Sequence, residues 1–264
     1  MDKKINWVKV LFGGVLSLYG IFLFLAFLQL LGTVSWGEFL PMLQNPDIKF
    51  SILFSLTTSL IAIIGSILVG IPSAYVLSRY YFPGIGLVET ILYIPVFLPP
   101  LVSGLALLLL FSEGGMVGSK LDIEFVFTPQ GVVLAQFFVA TPFAIRAFQA
   151  AFNSVNIRLE EAAETLGDTP GMVFKRITLP LAWKGLFGGI MLAWSRALGE
   201  FGATIMLAGA IRGKTETLPI SVYLNMSLGE LDSAVIVAAI MLLLSVSFLF
   251  ILRLLFTPAY KQFS

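Results

Sequence analysis

Residues 160–180 read Glu-Glu-Ala-Ala-Glu-Thr-Leu-Gly-Asp-Thr-Pro-Gly-Met-Val-Phe-Lys-Arg-Ile-Thr-Leu-Pro, a polar island in a chain that is 58% hydrophobic and only 12% charged. Four acids (Glu160, Glu161, Glu164, Asp168) and two bases (Lys175, Arg176) crowd into it. Glu160, Glu161 and Glu164 suit the first turns of a short helix, where carboxylates complement the partial positive charge of the N-terminus. Gly167 fits the left-handed position that ends such a helix, and Pro170 with Gly171 marks a turn. A second short helix is expected to run to Pro180, placed for the first turn of a membrane helix. The pattern predicts a compact helix-turn-helix displayed between two hydrophobic spans; a solvated, ordinarily capped loop is the plainer alternative.

Working outward, 264 residues with a mean hydropathy of +0.97 and 13% aromatics do not make a soluble domain, whose charged fraction is about a quarter. A polytopic all-α membrane protein is expected. The net charge of +1 gives no argument for nucleic acid, and the absence of cysteine and histidine excludes disulfides, Cys/His metal sites and Ser/His or Cys/His catalytic sets.

Apolar runs that reach the ~20 residues needed to cross a bilayer lie at about 10–31, 50–77, 87–111, 129–152, 181–211 and 233–256. The first, preceded by Lys3, Lys4 and Lys9, is too long for a signal-peptide core and is read as a retained span. It forms, with an external linker to residue 49 carrying Trp36, a unit 1–49; the core is expected at 50–258, with five spans and the polar loop at 153–180. Pro95, Pro99 and Pro100 predict a kinked third span, tolerable where protein or water satisfies the freed backbone groups. Six spans put both termini on one side. With those termini cytoplasmic, the inner side collects Lys3, Lys4, Lys9, Arg79, Arg146, Arg158, Lys175, Arg176, Lys184, Arg253 and Lys261, and the outer side Lys49, Lys120, Arg212 and Lys214. Eleven against four follows the positive-inside rule and puts the polar loop in the cytoplasm.

Glu161-Ala162-Ala163, three residues, Gly167, nine residues, then Ile177-x-Leu179-Pro180 resembles the signature loop of ABC-importer permeases. The resemblance implies a type I importer fold with a cytoplasmic coupling helix, in which Glu160, Glu161, Ala162, Ala163, Glu164, Leu166 and Gly167 engage a separate ATPase subunit. It implies two ATPase copies, a second copy of this chain, and an extracytoplasmic binding protein, in a prokaryotic cell membrane. ATP and Mg would sit on the partner subunit, with no cofactor bound here and no catalysis by this chain.

A second stretch, Ser195-Arg196-Ala197-Leu198-Gly199-Glu200-Phe201-Gly202-Ala203-Thr204, falls within the fifth run. Arg196 and Glu200 are four apart and are expected to pair on one helix face. An Arg at the helix centre carries about 2.5–3.5 kcal/mol on insertion scales, so it should face the bundle interior or a water-filled cavity. Ser195, Arg196, Glu200 and Thr204 are thus candidates for a pathway or gate; a structural ion pair that locks helices is the alternative.

The same phrase, followed by Ala208-Gly209 and Leu218-Pro219, is similar to the permeases of molybdate-type oxyanion importers, over about residues 50–256. That similarity implies import of a tetrahedral oxyanion, molybdate or tungstate, with sulfate or thiosulfate as the alternative. An ion-coupled secondary transporter using Glu200 would leave the signature loop unexplained, and a membrane enzyme would need more polar groups at one depth. Gly213-Lys214-Thr215 lacks the upstream glycine of a phosphate-binding loop, Ala208 standing there. Residues 212–232 are read as a polar loop, and the remaining acids, among them Glu89, Glu216 and Glu230, as solvated loop charges.

Overall fold

The computed structural model describes residues 7–120 and 123–256. Lys3, Lys4, Lys261, Asp122 and the last two residues of the expected core lie outside the described residues, as does the side chain of Arg253. The described residues form helices with no strand: α1 (Trp7–Gly32), α2 (Trp36–Gln44), α3 (Pro46–Arg79), α4 (Ile85–Phe97), α5 (Pro100–Phe111), α6 (Pro129–Asn153), α7 (Ile157–Thr165), α8 (Pro170–Val173), α9 (Leu179–Leu198), α10 (Gly202–Ala208), α11 (Leu218–Ser227) and α12 (Leu231–Phe256). Five helical stretches are long and apolar enough to cross a membrane, and the bent pair α4 and α5 makes a sixth span if counted as one.

The centre of the bundle is α6, with α3 and α9 packed against it. Phe148, Phe152, Leu186 and Ala193 are buried there with Ala144 and Ala151. Small residues set the spacing, as in lipid, where close backbone approach replaces the hydrophobic drive. A Cβ on Gly185 would lie 2.6 Å from the Ala151 Cβ, and one on Gly189 2.9 Å from the Ala147 Cβ. Buried hydroxyls cross-link the same helices: Ser66 and Thr141 meet at 2.9 Å, and the Trp194 indole N–H donates to the Ser59 Oγ at 3.0 Å. By contrast α1 buries no side chain.

Five expectations change. The third run is not a kinked helix but two helices bent by 113°. Leu98 and Pro99 both adopt extended backbone (ψ 142° and 135°), the conformation imposed before a proline, and two consecutive prolines thus break the helix outright. The fifth run is not one helix to residue 211. It stops at Leu198, and after a break a seven-residue α10 ends at Gly209 (φ +73°).

Nor does a separate short helix precede Pro180, since Pro170–Leu198 runs as one span through a π turn at Phe174–Thr178. There the Leu179 N–H donates to the Phe174 carbonyl five residues back, accommodating the proline that follows. Finally, 212–232 is not a solvated loop. It contains α11, packed on α12 and α3 with Leu218, Ile220 and Ser221 buried, and the Leu218 N–H donates to the Ser55 Oγ at 2.7 Å. Glu216, read as solvated, is 2% exposed. Likewise the linker after α1 holds α2, and Val34 and Ile48 are buried against the α12 side chains.

Candidate functional site

The polar island folds as a capped helix. The Asn156 side chain accepts the Arg158 N–H at 3.1 Å and starts α7. At the other end the Gly167 N–H donates to the Glu164 carbonyl (3.0 Å) and the Asp168 N–H to the Ala163 carbonyl (3.1 Å), with Gly167 at φ +98°. This paired closure is the Schellman ending that a left-handed glycine permits. Across the turn Arg176 donates to Asp168 at 3.0 Å.

The two faces of α7 differ. Glu161, Ala162, Glu164, Leu166 and Gly167 are exposed, Leu166 by 89%, and Ile157, Leu159 and Met172 add exposed apolar surface. The result is an exposed helix face that is both acidic and apolar. Ala163 and Glu160 turn inward.

Glu160, grouped by sequence with the exposed acids, is 6% exposed. Its Oε2 accepts the Arg79 Nε at 2.8 Å, and its Oε1 accepts both Arg79 Nη2 and the Thr178 hydroxyl at 2.8 Å. The Arg79 Nη2 also donates to the Phe152 carbonyl at 2.8 Å. Burial alone would push the Glu160 carboxyl up. Hydrogen bonds from Arg79 and Thr178, with the guanidinium charge, outweigh it and hold the group below the ordinary carboxylate range. Sequence reading missed Arg79 and Thr178, one counted only as an inner-side charge and the other not remarked at all.

Arg196 and Glu200 do pair, Nη1 to Oε2 at 2.6 Å, but not on one helix face. Gly199 ends α9, so Glu200 lies in the break, where its Oε1 accepts the Ala203 N–H at 2.8 Å and caps α10. Glu200 is 1% exposed, whereas the Arg196 side chain is 27% exposed, with its guanidinium 5.8 Å from the centre of the Phe143 ring. Ser195 is exposed and Thr204 buried.

The break in α9–α10 meets the break in α4–α5: a Cβ on Gly202 would lie 2.8 Å from the Pro100 Cβ, and one on Gly104 2.7 Å from Ala203 backbone. Around this junction α10 packs on α5 and α6. Among the described residues the side chains of Ser103, Gln136 and Thr204 are buried with no hydrogen-bond partner. Ser103 lies on α5, Gln136 on α6 and Thr204 on α10, the helices that meet at this junction.

A family described as Binding-protein-dependent transport system inner membrane component matches residues 66–262. The Molybdenum transport system permease protein ModB of Escherichia coli (strain K12) is 40% identical over 185 residues, covering 69% of this chain and 80% of that protein. The Sulfate transport system permease protein CysT of the same organism is 33% identical over 254 residues, 92% of each chain. The fold matches that of a bacterial alginate ABC transporter crystallised with an alginate pentasaccharide-bound periplasmic protein, with a TM-score of 0.75 at 19% identity over 95% of this chain and 94% of that one. With the signature loop displayed as a capped helix below a bundle of membrane spans, the chain belongs to the family of binding-protein-dependent transport system inner membrane components, the permeases of ABC importers.

Proposed function

We propose that this chain forms the membrane pathway of an ATP-driven importer for a tetrahedral oxyanion, molybdate or tungstate in the first place. The observation that carries the reading is the 40% identity to a molybdenum permease over 185 residues. Two copies of the chain enclose the path. The exposed face of α7 at Glu161, Ala162, Glu164 and Leu166, closed by Gly167, seats in each of two cytoplasmic ATPase subunits, which hold ATP and Mg. An extracytoplasmic binding protein delivers the anion to segments 32–49, 112–128 and 212–232. Of the last segment, residues 212–214 and 226–232 are exposed.

Closure of the ATPases moves α7, and the path changes between inward- and outward-facing. Ser195, Arg196, Glu200 and Thr204 stand at the gate. Arg196 supplies positive potential that Glu200 largely neutralises, and buried hydroxyl and amide groups offer weak hydrogen bonds. Low affinity at this depth suits release, because a tight site would hold the anion.

Sulfate is the second reading, favoured by the 92% coverage of a sulfate permease. Uptake of labelled molybdate into vesicles carrying the permease, its ATPase and its binding protein separates the two. Competition by tungstate and not by sulfate, dependent on internal ATP, is the expected result. Transport of sulfate would move the assignment to that branch, and uptake without ATP would refute the importer reading.

A further inference from the structure

We propose that Glu160 is a positioning residue of the transport cycle. Through Arg79 and Thr178 its carboxylate ties the docking helix α7 to the near ends of α3, α6 and α9, so that these four move as one body. The geometry carries this directly. One buried carboxylate receives three hydrogen bonds of 2.8 Å, two from Arg79 at the last position of α3 and one from Thr178 at the head of α9. The same guanidinium holds the Phe152 carbonyl in the last turn of α6. The partners lie 81 and 18 residues away in sequence, so the node is tertiary and not a local cap.

A paired Arg–carboxylate fork fixes orientation as well as distance, because both acceptor oxygens are held in the guanidinium plane. Single hydroxyl contacts or apolar packing would let α7 pivot. Around the node, Tyr75, Phe152 and Phe174 stack edge to face, Tyr75 lying 5.6 Å from Phe152 and 4.8 Å from Phe174. These rings belong to the same buried cluster as the α6 and α9 core, so the side of the node facing the spans is packed. The neighbouring acid Glu161 is exposed and has no part in the node. Adjacent glutamates therefore divide the work: Glu161 faces the partner, and Glu160 transmits. The inference needs the permease role only and is independent of which anion is carried.

The chain has no cysteine, so two spin labels can be placed cleanly. Arg158→Cys, exposed in the first turn of α7 and not among the docking residues, reports on α7, and Tyr81→Cys, 92% exposed just beyond α3, reports on the spans. The complex with its ATPase, carrying one labelled permease copy, is compared without nucleotide and with trapped ATP. One narrow distance, unchanged by nucleotide, is expected. Glu160→Gln should broaden it at least twofold while ATPase association persists, and binding-protein-stimulated hydrolysis should drop about tenfold relative to basal hydrolysis.

The double variant Arg79→Gln/Glu160→Gln, which leaves no unpaired charge, should assemble like the parent and remain uncoupled. If Glu160→Gln fails to assemble, Thr178→Val reads the same node with the ion pair intact, and partial broadening is expected. An unbroadened distance with parental stimulation in the assembled variants, or a distance that shifts with ATP in the parent, would overturn the proposal. Molybdate uptake plays no part in these readouts, so a wrong anion assignment leaves them standing.

Discussion

Removing Glu200 separates its two tasks. Glu200→Gln keeps an acceptor for the Ala203 N–H, now at 2.8 Å, but turns an amide toward the Arg196 guanidinium, now 2.6 Å from the carboxylate. Breaking a fully buried ion pair by removing one partner costs about 3–5 kcal/mol. Since the Arg196 side chain is 27% exposed, solvent takes up part of its charge, and a loss of about 2 kcal/mol is expected. Glu200→Ala also removes the cap of α10, adding about 1 kcal/mol. The ordering parent, Gln, Ala should appear in unfolding of detergent-solubilised permease followed by tryptophan fluorescence. Trp194 sits within a turn of Arg196 and packs on Phe248 with ring centres 4.3 Å apart, so it reports locally. An Arg196→Met/Glu200→Gln cycle should give a coupling energy above about 0.5 kcal/mol. Identical midpoints for parent and Glu200→Gln, or a Glu200→Ala no weaker than Glu200→Gln, would refute the division into pair and cap.

Gly185→Leu should push α6 from α9, since even a Cβ would come within 2.6 Å of the Ala151 Cβ; a loss of about 1–3 kcal/mol is expected from overpacking, read as lower yield of monodisperse protein. Gly167→Val forces a β-branched residue to φ +98° and should leave the chain in the membrane but weaken ATPase association, measured by co-purification. Ser55→Ala strands the buried Leu218 N–H and should destabilise the α3–α11 contact by about 1–3 kcal/mol, visible as faster amide exchange in α11. The folded Glu160 carboxyl titrates below its unfolded value of about 4.3. Its stabilising effect is therefore complete above that value and fades only as pH falls through the lower folded one. The unfolding midpoint of the detergent-solubilised permease should owe no pH dependence to this group from about pH 6 to 8, and should lose its contribution only in stronger acid.

Much of the fold could be read from local pattern. The short helix before Gly167, its left-handed glycine ending and the apolar runs depend on near neighbours in sequence, and the structure has that capped helix and a membrane-length helix in the first, second, fourth and sixth runs. What escaped depends on distant partners. Glu160 and Glu161 are chemically alike, and only Arg79, 81 residues earlier, decides which one turns inward. A spacing of four suggested that Arg196 and Glu200 share a helix face; the pair forms, yet Gly199 ends the helix between them. Polar letters in 212–232 suggested a solvated loop, but Leu218, Ile220 and Ser221 find a buried place beside α3 and α12. A proline in a long apolar run indicates disturbance without its size, and two together gave a bend of 113°.

The π turn at Phe174–Thr178 is, in helical terms, one surplus residue. A turn of this kind takes up its extra residue as a local bulge, so the helix before it and the helix after it remain one span. What changes is the turn itself. Thr178, its last residue, is the one whose hydroxyl reaches the Glu160 carboxylate. The surplus residue thus works as a spacer: the bulge lends one side chain to the docking helix while the span continues on its own course.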